Sequence, residues 1–427
     1  MTDHIRWVSS LTGCSKVSWG FASLRKTISC AWLIPGFCLI NSVSAFSVYA
    51  ADVGLRGDLI KAEYLGAQSA KSLDLSKRAL KTSRLPLSRV REVRFYRLTY
   101  RTPALDGHLS AASGLVIVPI LPDPAVAVPT VSYQHGTAYS KDAVPSAGTA
   151  QPDALAGAIA FASLGEFVVA ADYLGLGKSE GMHPYLHVET EASATGDCLL
   201  AAQSLAKREK VPLNGKLFLV GVSQGGHATM ALQRSLESHP IAGFSIVASA
   251  PISGPYDLSG TMVRSLLMAP ASRMNTLHAA YLFAAFNEVY DLYGDVSKVV
   301  QKPALLALLD GNHTHEELSK VFPEKMTDFF QPEFLRSLRV NDPKNPQPLV
   351  EALRKNDIYD WKPVAPVRLF HSKGDDAVAF HNSEVALEAM QKRGAKVELV
   401  KLRDRLTHAE SMIPGLVAAS LWFEELR

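Results

Sequence analysis

LFLVGVSQGGHATM, residues Leu217 to Met230, opens as an apolar run, passes a serine fenced by glycines, and continues with helix-forming residues. A short apolar run suits a strand buried on both faces, and the segment after it suits a helix, so Ser223 stands at a strand-to-helix turn. In the pattern G-x-S-x-G the serine sits on a sharp, strained turn, and the flanking glycines remove side chains that neighbouring backbone would meet. The sequence carries this pattern twice, at Gly221–Gly225 and at Gly177–Gly181. Only the first has a strand before it and a helix after it. Ser179 comes several residues after the apolar run FVVAA, and Pro184 opposes a helix beyond it. Ser223 is therefore the candidate nucleophile, and Ser179 a loop residue.

Strand-like and helix-like segments alternate on both sides of this turn. REVRFYRLTY (91–100) and LSAASGLVIVPI (109–120), joined by the turn LDGH, should form an antiparallel pair. AVPTVSYQHG (127–136) reads as a buried third strand, and PDALAGAIAFASLG (152–165) as a helix that starts after a proline and stops at Gly165. Strands follow at 166–175, 216–223, 243–253, 366–372 and 396–402, with helices between them and one after the last. An antiparallel start followed by repeated βα units implies an α/β fold, a mostly parallel sheet covered by helices on both faces. The core is expected at 90–259 and 361–427, after an N-terminal helical segment at 51–89. Residues 260–360 are punctuated by prolines, contain few strand-like runs and hold four of the nine methionines. They read as an inserted, mainly helical lid over the carboxyl edge of the sheet, with an independent helical domain as the rival.

The net charge of +3 comes from the first 50 residues, which hold four of the 44 basic side chains and one of the 41 acidic ones. The neutral remainder lacks the electrostatic footprint of a nucleic-acid binder. Arg25 and Lys26 precede the apolar run ISCAWLIPGFCLI, and Val48-Tyr49-Ala50 fits small-x-small cleavage, with Val43-Ser44-Ala45 a second candidate. Residues 1–50 thus read as a signal peptide of a secreted or periplasmic protein. The apolar run is shorter than the roughly 20 residues that span a bilayer. Cys198 is the single cysteine beyond that segment, too few for an intramolecular disulfide or a zinc site, and is expected to pack in a helix.

A serine hydroxyl needs a base to take its proton, and the base needs a carboxylate to fix its tautomer. Asp375 and Asp376 follow a late strand, and His408 stands between the next strand and the last helix. His371, His381, His227, His313 and His315 suit packing, turn or surface positions, and no Cys or carboxylate at ligand spacing makes His313-Thr314-His315 a metal site. Two backbone donors are needed for a developing oxyanion. The amide of Gln224, just after the nucleophile, is one. The other is assigned to Thr137, in the loop after the third strand, where Gly136 permits close backbone approach.

With these residues placed, SYQHGT, ADYLGLGKSEGMHPYL, VGVSQGG and HSKGDDAV resemble, in order, signature stretches of the α/β-hydrolase superfamily, and within it secretory lipase-type serine esterases. The likeness runs from about Val90 to the C-terminus. Its H-x-x-x-D-x-x-V pattern falls on His371, Asp375 and Val378, which implies Asp375 as the acid, while adjacent Asp376 departs from the pattern. The resemblance implies a secreted ester hydrolase working through Ser223, His408 and Asp375, without metal or cofactor. Its substrate would be a small-molecule or lipid ester, with transient contact to a lipid surface and no obligate protein partner. A peptidase or acyltransferase on the same three residues, or a non-catalytic binding protein, are the rival readings.

Overall fold

The computed structural model describes residues 54–79, 88–148, 152–340 and 347–427. The expected signal peptide, residues 1–50, lies outside them. Among the described residues one sheet of nine strands is formed: β1 (Leu59–Ser69), β2 (Glu92–Pro103), β3 (Leu109–Ile120), β4 (Val128–Gln134), β5 (Phe167–Ala171), β6 (Leu213–Val222), β7 (Ser245–Ile252), β8 (Val367–His371) and β9 (Val397–Lys401). Their spatial order is β1-β2-β3-β5-β4-β6-β7-β8-β9. Strands β1 to β3 pair antiparallel, β3 pairs antiparallel with β5, and every pairing from β5 to β9 is parallel. The chain thus has the α/β-hydrolase architecture.

The helices are α1 (Ala70–Ala79), α2 (Pro152–Ser163), α3 (Val188–Arg208), α4 (Gln224–Ser238), α5 (Val263–Met268), α6 (Arg273–Tyr290), α7 (His315–Val321), α8 (Pro332–Val340), α9 (Pro348–Lys355), α10 (His381–Lys392) and α11 (His408–Glu425). Successive strand residues point to opposite faces, which explains the long apolar runs. Phe218, Val220 and Val222 of β6 pack with α2 and α11, among them Phe161, Leu416 and Phe423. Leu217 and Leu219 pack on the other face with Leu199 and Leu205 of α3 and Leu232 of α4. Cys198 is buried in this second layer.

The segment 51–89 is not simply helical. It opens with β1, an edge strand with two irregularities in its register against β2, and only then forms α1. Leu65, Gly66 and Ala67 interrupt the alternation begun by Ile60, Ala62 and Tyr64, and Ile60, Tyr64 and Leu65 remain exposed. A strand with one neighbour buries too little to leave a clear period-two pattern.

Among the described residues between β7 and β8, none adds a strand to the sheet. The segment forms α5 to α9, with short 3₁₀ turns such as Pro303–Leu308, and an isolated bridge joins Val300 to Phe330. Phe283, Phe286, Phe329, Phe330 and Phe334 make an aromatic core there, shared with Tyr139, Tyr185 and Leu186 of the loops after β4 and β5. Asn356, just past α9, ties this segment down: its side chain accepts from Val188 N–H and donates to Tyr290 Oη and to the Ala352 carbonyl.

Candidate active site

Ser223 occupies a tight turn between β6 and α4 with φ 57° and ψ −121°, a conformation that costs about 1–3 kcal/mol and persists only where the surroundings impose it. They do. Its N–H donates to the Ile252 carbonyl of β7, and its own carbonyl accepts from Gly226 N–H. A Cβ on Gly221 would lie 2.2 Å from the Gly225 carbonyl oxygen, and one on Gly225 only 2.1 Å from that of Gln134. Both contacts are with backbone, so the flanking glycines are a packing requirement. Ser179 sits in a turn with its hydroxyl 3.4 Å from the Glu180 carbonyl.

His408 is the first residue of α11. Thr407 caps that helix in a reciprocal box with Glu410, and Asp376 Oδ1 accepts the His408 N–H at 3.0 Å. A carboxylate at a helix N-terminus is also favoured by the helix dipole. This backbone anchor aims the imidazole in two directions: Nε2 lies 2.8 Å from Ser223 Oγ, and Nδ1 lies 2.7 Å from Asp375 Oδ2.

Asp375 is held from every side. Oδ1 accepts from Ala377 N–H at 3.0 Å and Val378 N–H at 2.8 Å. His371 Nε2 lies 3.2 Å from Oδ2 and 3.0 Å from the Val378 carbonyl, while its Nδ1 faces the Ser383 hydroxyl at 2.7 Å. Since both neighbours of Nε2 are acceptors, the proton resides there. Burial alone would raise the Asp375 pKa, but hydrogen bonds from His371 and His408 hold it well below the usual carboxylate range. Asp257, the other acid near a strand end, is occupied by Gly260 N–H, Thr261 N–H and the Thr261 hydroxyl.

Thr137 and Gln224 flank the nucleophile. The Gln224 amide belongs to the first turn of α4, where N–H groups have no intrahelical acceptor. The Gln224 side chain points inward, donating to His183 Nε2 and to Glu191 Oε1, while the other Glu191 oxygen, Oε2, lies 2.6 Å from His227 Nδ1. Thr137 borders the cavity in front of Ser223, its hydroxyl 3.0 Å from Tyr185 Oη. A Cβ on Gly136 would be 3.5 Å from the Val222 carbonyl, an ordinary contact.

The cavity measures about 440 Å³. Met262, Leu266, Met274 and Leu282 of the helical segment line it together with Ser223, His408, Val378 and Met412, and no Asp, Glu, Lys or Arg is among the described residues that line it. A hydroxyl hydrogen-bonded to an imidazole, itself hydrogen-bonded to a buried carboxylate, can pass its proton to Nε2 as it attacks an electrophile. The structure thus brings Ser223, His408 and Asp375 into one hydrogen-bonded row with Thr137 and Gln224 beside it. The contributions of His371 and Asp376 to holding that row were missed in the sequence, although the H-x-x-x-D spacing marked His371. His381, His313 and His227 are engaged by Glu384, Asp310 and Glu191 respectively. Among the described residues no group of three or more His, Cys, Asp or Glu could hold a metal, and no helix is long and apolar enough to cross a membrane.

No protein-family model matches the sequence, and neither does any curated protein. Solved structures do. The rice cell wall degrading esterase LipA from Xanthomonas oryzae is 30% identical and superimposes with a TM-score of 0.79, over 88% of this chain and 100% of that one. A candidate hydrolase from Legionella pneumophila is 30% identical with a TM-score of 0.77, over 86% and 98%. Candida antarctica lipase A shares the fold at 18% identity and a TM-score of 0.64, over 87% and 82%.

Proposed function

Because the chain belongs to the α/β-hydrolase superfamily of lipases and esterases, we propose that it hydrolyses neutral carboxylic esters through Ser223, His408 and Asp375. The observation that carries this reading is the continuous row from Ser223 Oγ through His408 to Asp375, at 2.8 and 2.7 Å. With Nδ1–H committed to the Asp375 carboxylate, Nε2 is free to accept the serine proton. Ser223 Oγ then bonds to the ester carbonyl carbon, and the oxyanion is met by the Gln224 and Thr137 amides. His408 gives its proton to the departing alkoxide, leaving an acyl-serine and an alcohol. Water, deprotonated by the same nitrogen, attacks the acyl-serine, and His408 returns the proton to Ser223 Oγ as the C–Oγ bond breaks and the acid leaves.

The uncharged, largely apolar wall supports acyl esters with an apolar chain over charged substrates, because an ion entering it would give up hydration without gaining a counter-charge. Export through a signal peptide at residues 1–50 is part of the same proposal, supported by the basic and apolar pattern of that segment. The test is labelling of purified protein by a fluorophosphonate probe together with turnover of p-nitrophenyl acyl esters. Labelling and turnover should both vanish in Ser223→Ala. Binding of esters without turnover would favour a non-catalytic protein, and cleavage of amides alone a peptidase.

A further inference from the structure

The strained elbow is anchored on both sides of its turn. Upstream, Ser223 N–H holds the Ile252 carbonyl. Downstream, the next residue is gripped through its side chain. Gln224, His183, Glu191 and His227 are each 3% exposed or less and form one buried hydrogen-bonded chain. None of the four is among the residues that line the cavity.

The protons of this chain follow from its ends. His183 Nδ1 lies 2.8 Å from the Leu174 carbonyl, which can only accept, so Nδ1 carries the hydrogen. Burial lowers the His183 pKa to about 4, so the ring is neutral near pH 7. Its Nε2 therefore presents a lone pair to Gln224 Nε2, 2.7 Å away. The second Gln224 N–H meets Glu191 Oε1 at 3.0 Å. Turning the amide over would set its oxygen against that lone pair and that carboxylate, so one orientation of the side chain is selected. Glu191 is itself pinned. Its Oε2 lies 2.6 Å from His227 Nδ1, and His227 Nε2 donates to the Asn356 carbonyl at 2.9 Å. The loop that presents His183 closes tightly on itself, since a Cβ on Gly175 would lie 2.5 Å from the His183 backbone nitrogen. The grip on Gln224 thus comes from the loop after β5 and from the first turn of α3, and its far end rests just past α9.

We propose that Glu191 and His183 are positioning residues for the reaction: by gripping the Gln224 side chain they hold the Gln224 backbone amide where the oxyanion develops. The proposal rests on the esterase reading above, in which that amide is an oxyanion donor. Losing such a donor costs about 10²–10³-fold in kcat, so one left in place but loosened should cost about ten- to a hundredfold. Glu191→Met and Gln224→Met each break the grip while filling the space. Glu191→Gln keeps it: the new carbonyl accepts from Gln224, and the new NH₂ donates to His227 Nδ1 while the imidazole hydrogen stays on Nε2 for Asn356.

The readouts are p-nitrophenyl butyrate turnover and inhibition by butylboronic acid, whose tetrahedral serine adduct places an oxygen where the oxyanion would be. Each Met variant should lose about ten- to a hundredfold in kcat with KM within about twofold, the mark of an interaction made only in the transition state. Boronate affinity should weaken at least about fivefold in the same variants. Glu191→Gln should stay within about threefold of the unmodified enzyme on both readouts, and the double Met variant should be little worse than either single one. A purely structural role would lower the melting temperature and leave kcat and boronate affinity of the folded enzyme in place. Should Glu191→Met fail to fold, Gln224→Met, which leaves the Glu191–His227 pair intact, carries the test. A folded Gln224→Met enzyme with kcat within about twofold of the parent, a loss of kcat with boronate affinity unchanged, or a Glu191→Gln enzyme as impaired as the Met variants overturns the proposal, while turnover by the unmodified enzyme leaves the esterase reading intact. Absence of turnover in the unmodified enzyme overturns both.

Discussion

Replacing Asp375 by Asn should be far more damaging than replacing its neighbour, and the hydrogen bonds say why. Asp375 Oδ1 accepts two backbone N–H groups, from Ala377 and Val378. An asparagine must put its carbonyl oxygen there, because its NH₂ would face two donors. The NH₂ then falls at the Oδ2 position, facing His408 Nδ1 at 2.7 Å and His371 Nε2 at 3.2 Å. Two donors now confront Nδ1–H, and relief comes from moving the His408 proton to Nε2. That nitrogen then points a hydrogen at Ser223 and can no longer take one. Loss of the right tautomer and of the compensating charge together are worth up to about 10⁴-fold in kcat, or about 5 kcal/mol at 1.36 kcal/mol per tenfold. Among the described residues Asp376 accepts only the His408 N–H, a bond the carbonyl of an asparagine can replace, so Asp376→Asn should lose less than about tenfold. The assay is p-nitrophenyl butyrate turnover for both variants, with circular dichroism and thermal melts to establish folding. A folded Asp375→Asn enzyme that keeps a tenth of its activity, or an Asp376→Asn enzyme that is the more impaired, refutes the reasoning.

Gly225→Ala would push a Cβ to 2.1 Å from the Gln134 carbonyl; thermal melts should show a displaced or destabilised elbow and activity should fall at least about 100-fold, whereas Gly136→Ala, whose Cβ meets only ordinary contacts, should melt close to the unmodified protein. His183 is held neutral by burial, its pKa lowered from 6.5 to about 4; the unfolded chain therefore takes up a proton on acidification before the folded one does, so stability present above pH 6.5 is lost as pH falls through 4, by about 3 kcal/mol. Denaturant melts across that window should show the loss, and His183→Asn should flatten the slope by about one proton. Asn356→Ala strands the buried Val188 N–H and removes the Tyr290 partner; chemical denaturation should register a loss of about 2–3 kcal/mol.

Much of this site could be read along the chain because its chemistry is punctuated by local structure. Gly221 and Gly225 mark the turn by their missing side chains, and Asp375 and His408 each follow a strand of the alternating series. What escaped was set by contacts across the fold. Nothing adjacent to Asp376 reveals that it would meet the backbone of His408, 32 residues away. Tyr185 meets Thr137 across 48 residues, and Glu191 reaches Gln224 across 33. Strand β1 was missed for a different reason: an edge strand with exposed Ile60 and Tyr64 lacks the two-sided burial that makes β4 to β6 conspicuous.

The absence of charge from the described cavity wall has a consequence for the end of the catalytic cycle. An ester enters as a neutral molecule, but the acid that leaves is an anion at neutral pH. In a wall without lysine or arginine that anion is stranded in a poor solvent, and water outside is its better host. The lining that accommodates the substrate therefore expels the product, and free carboxylic acids should accumulate in solution without clogging the enzyme that made them.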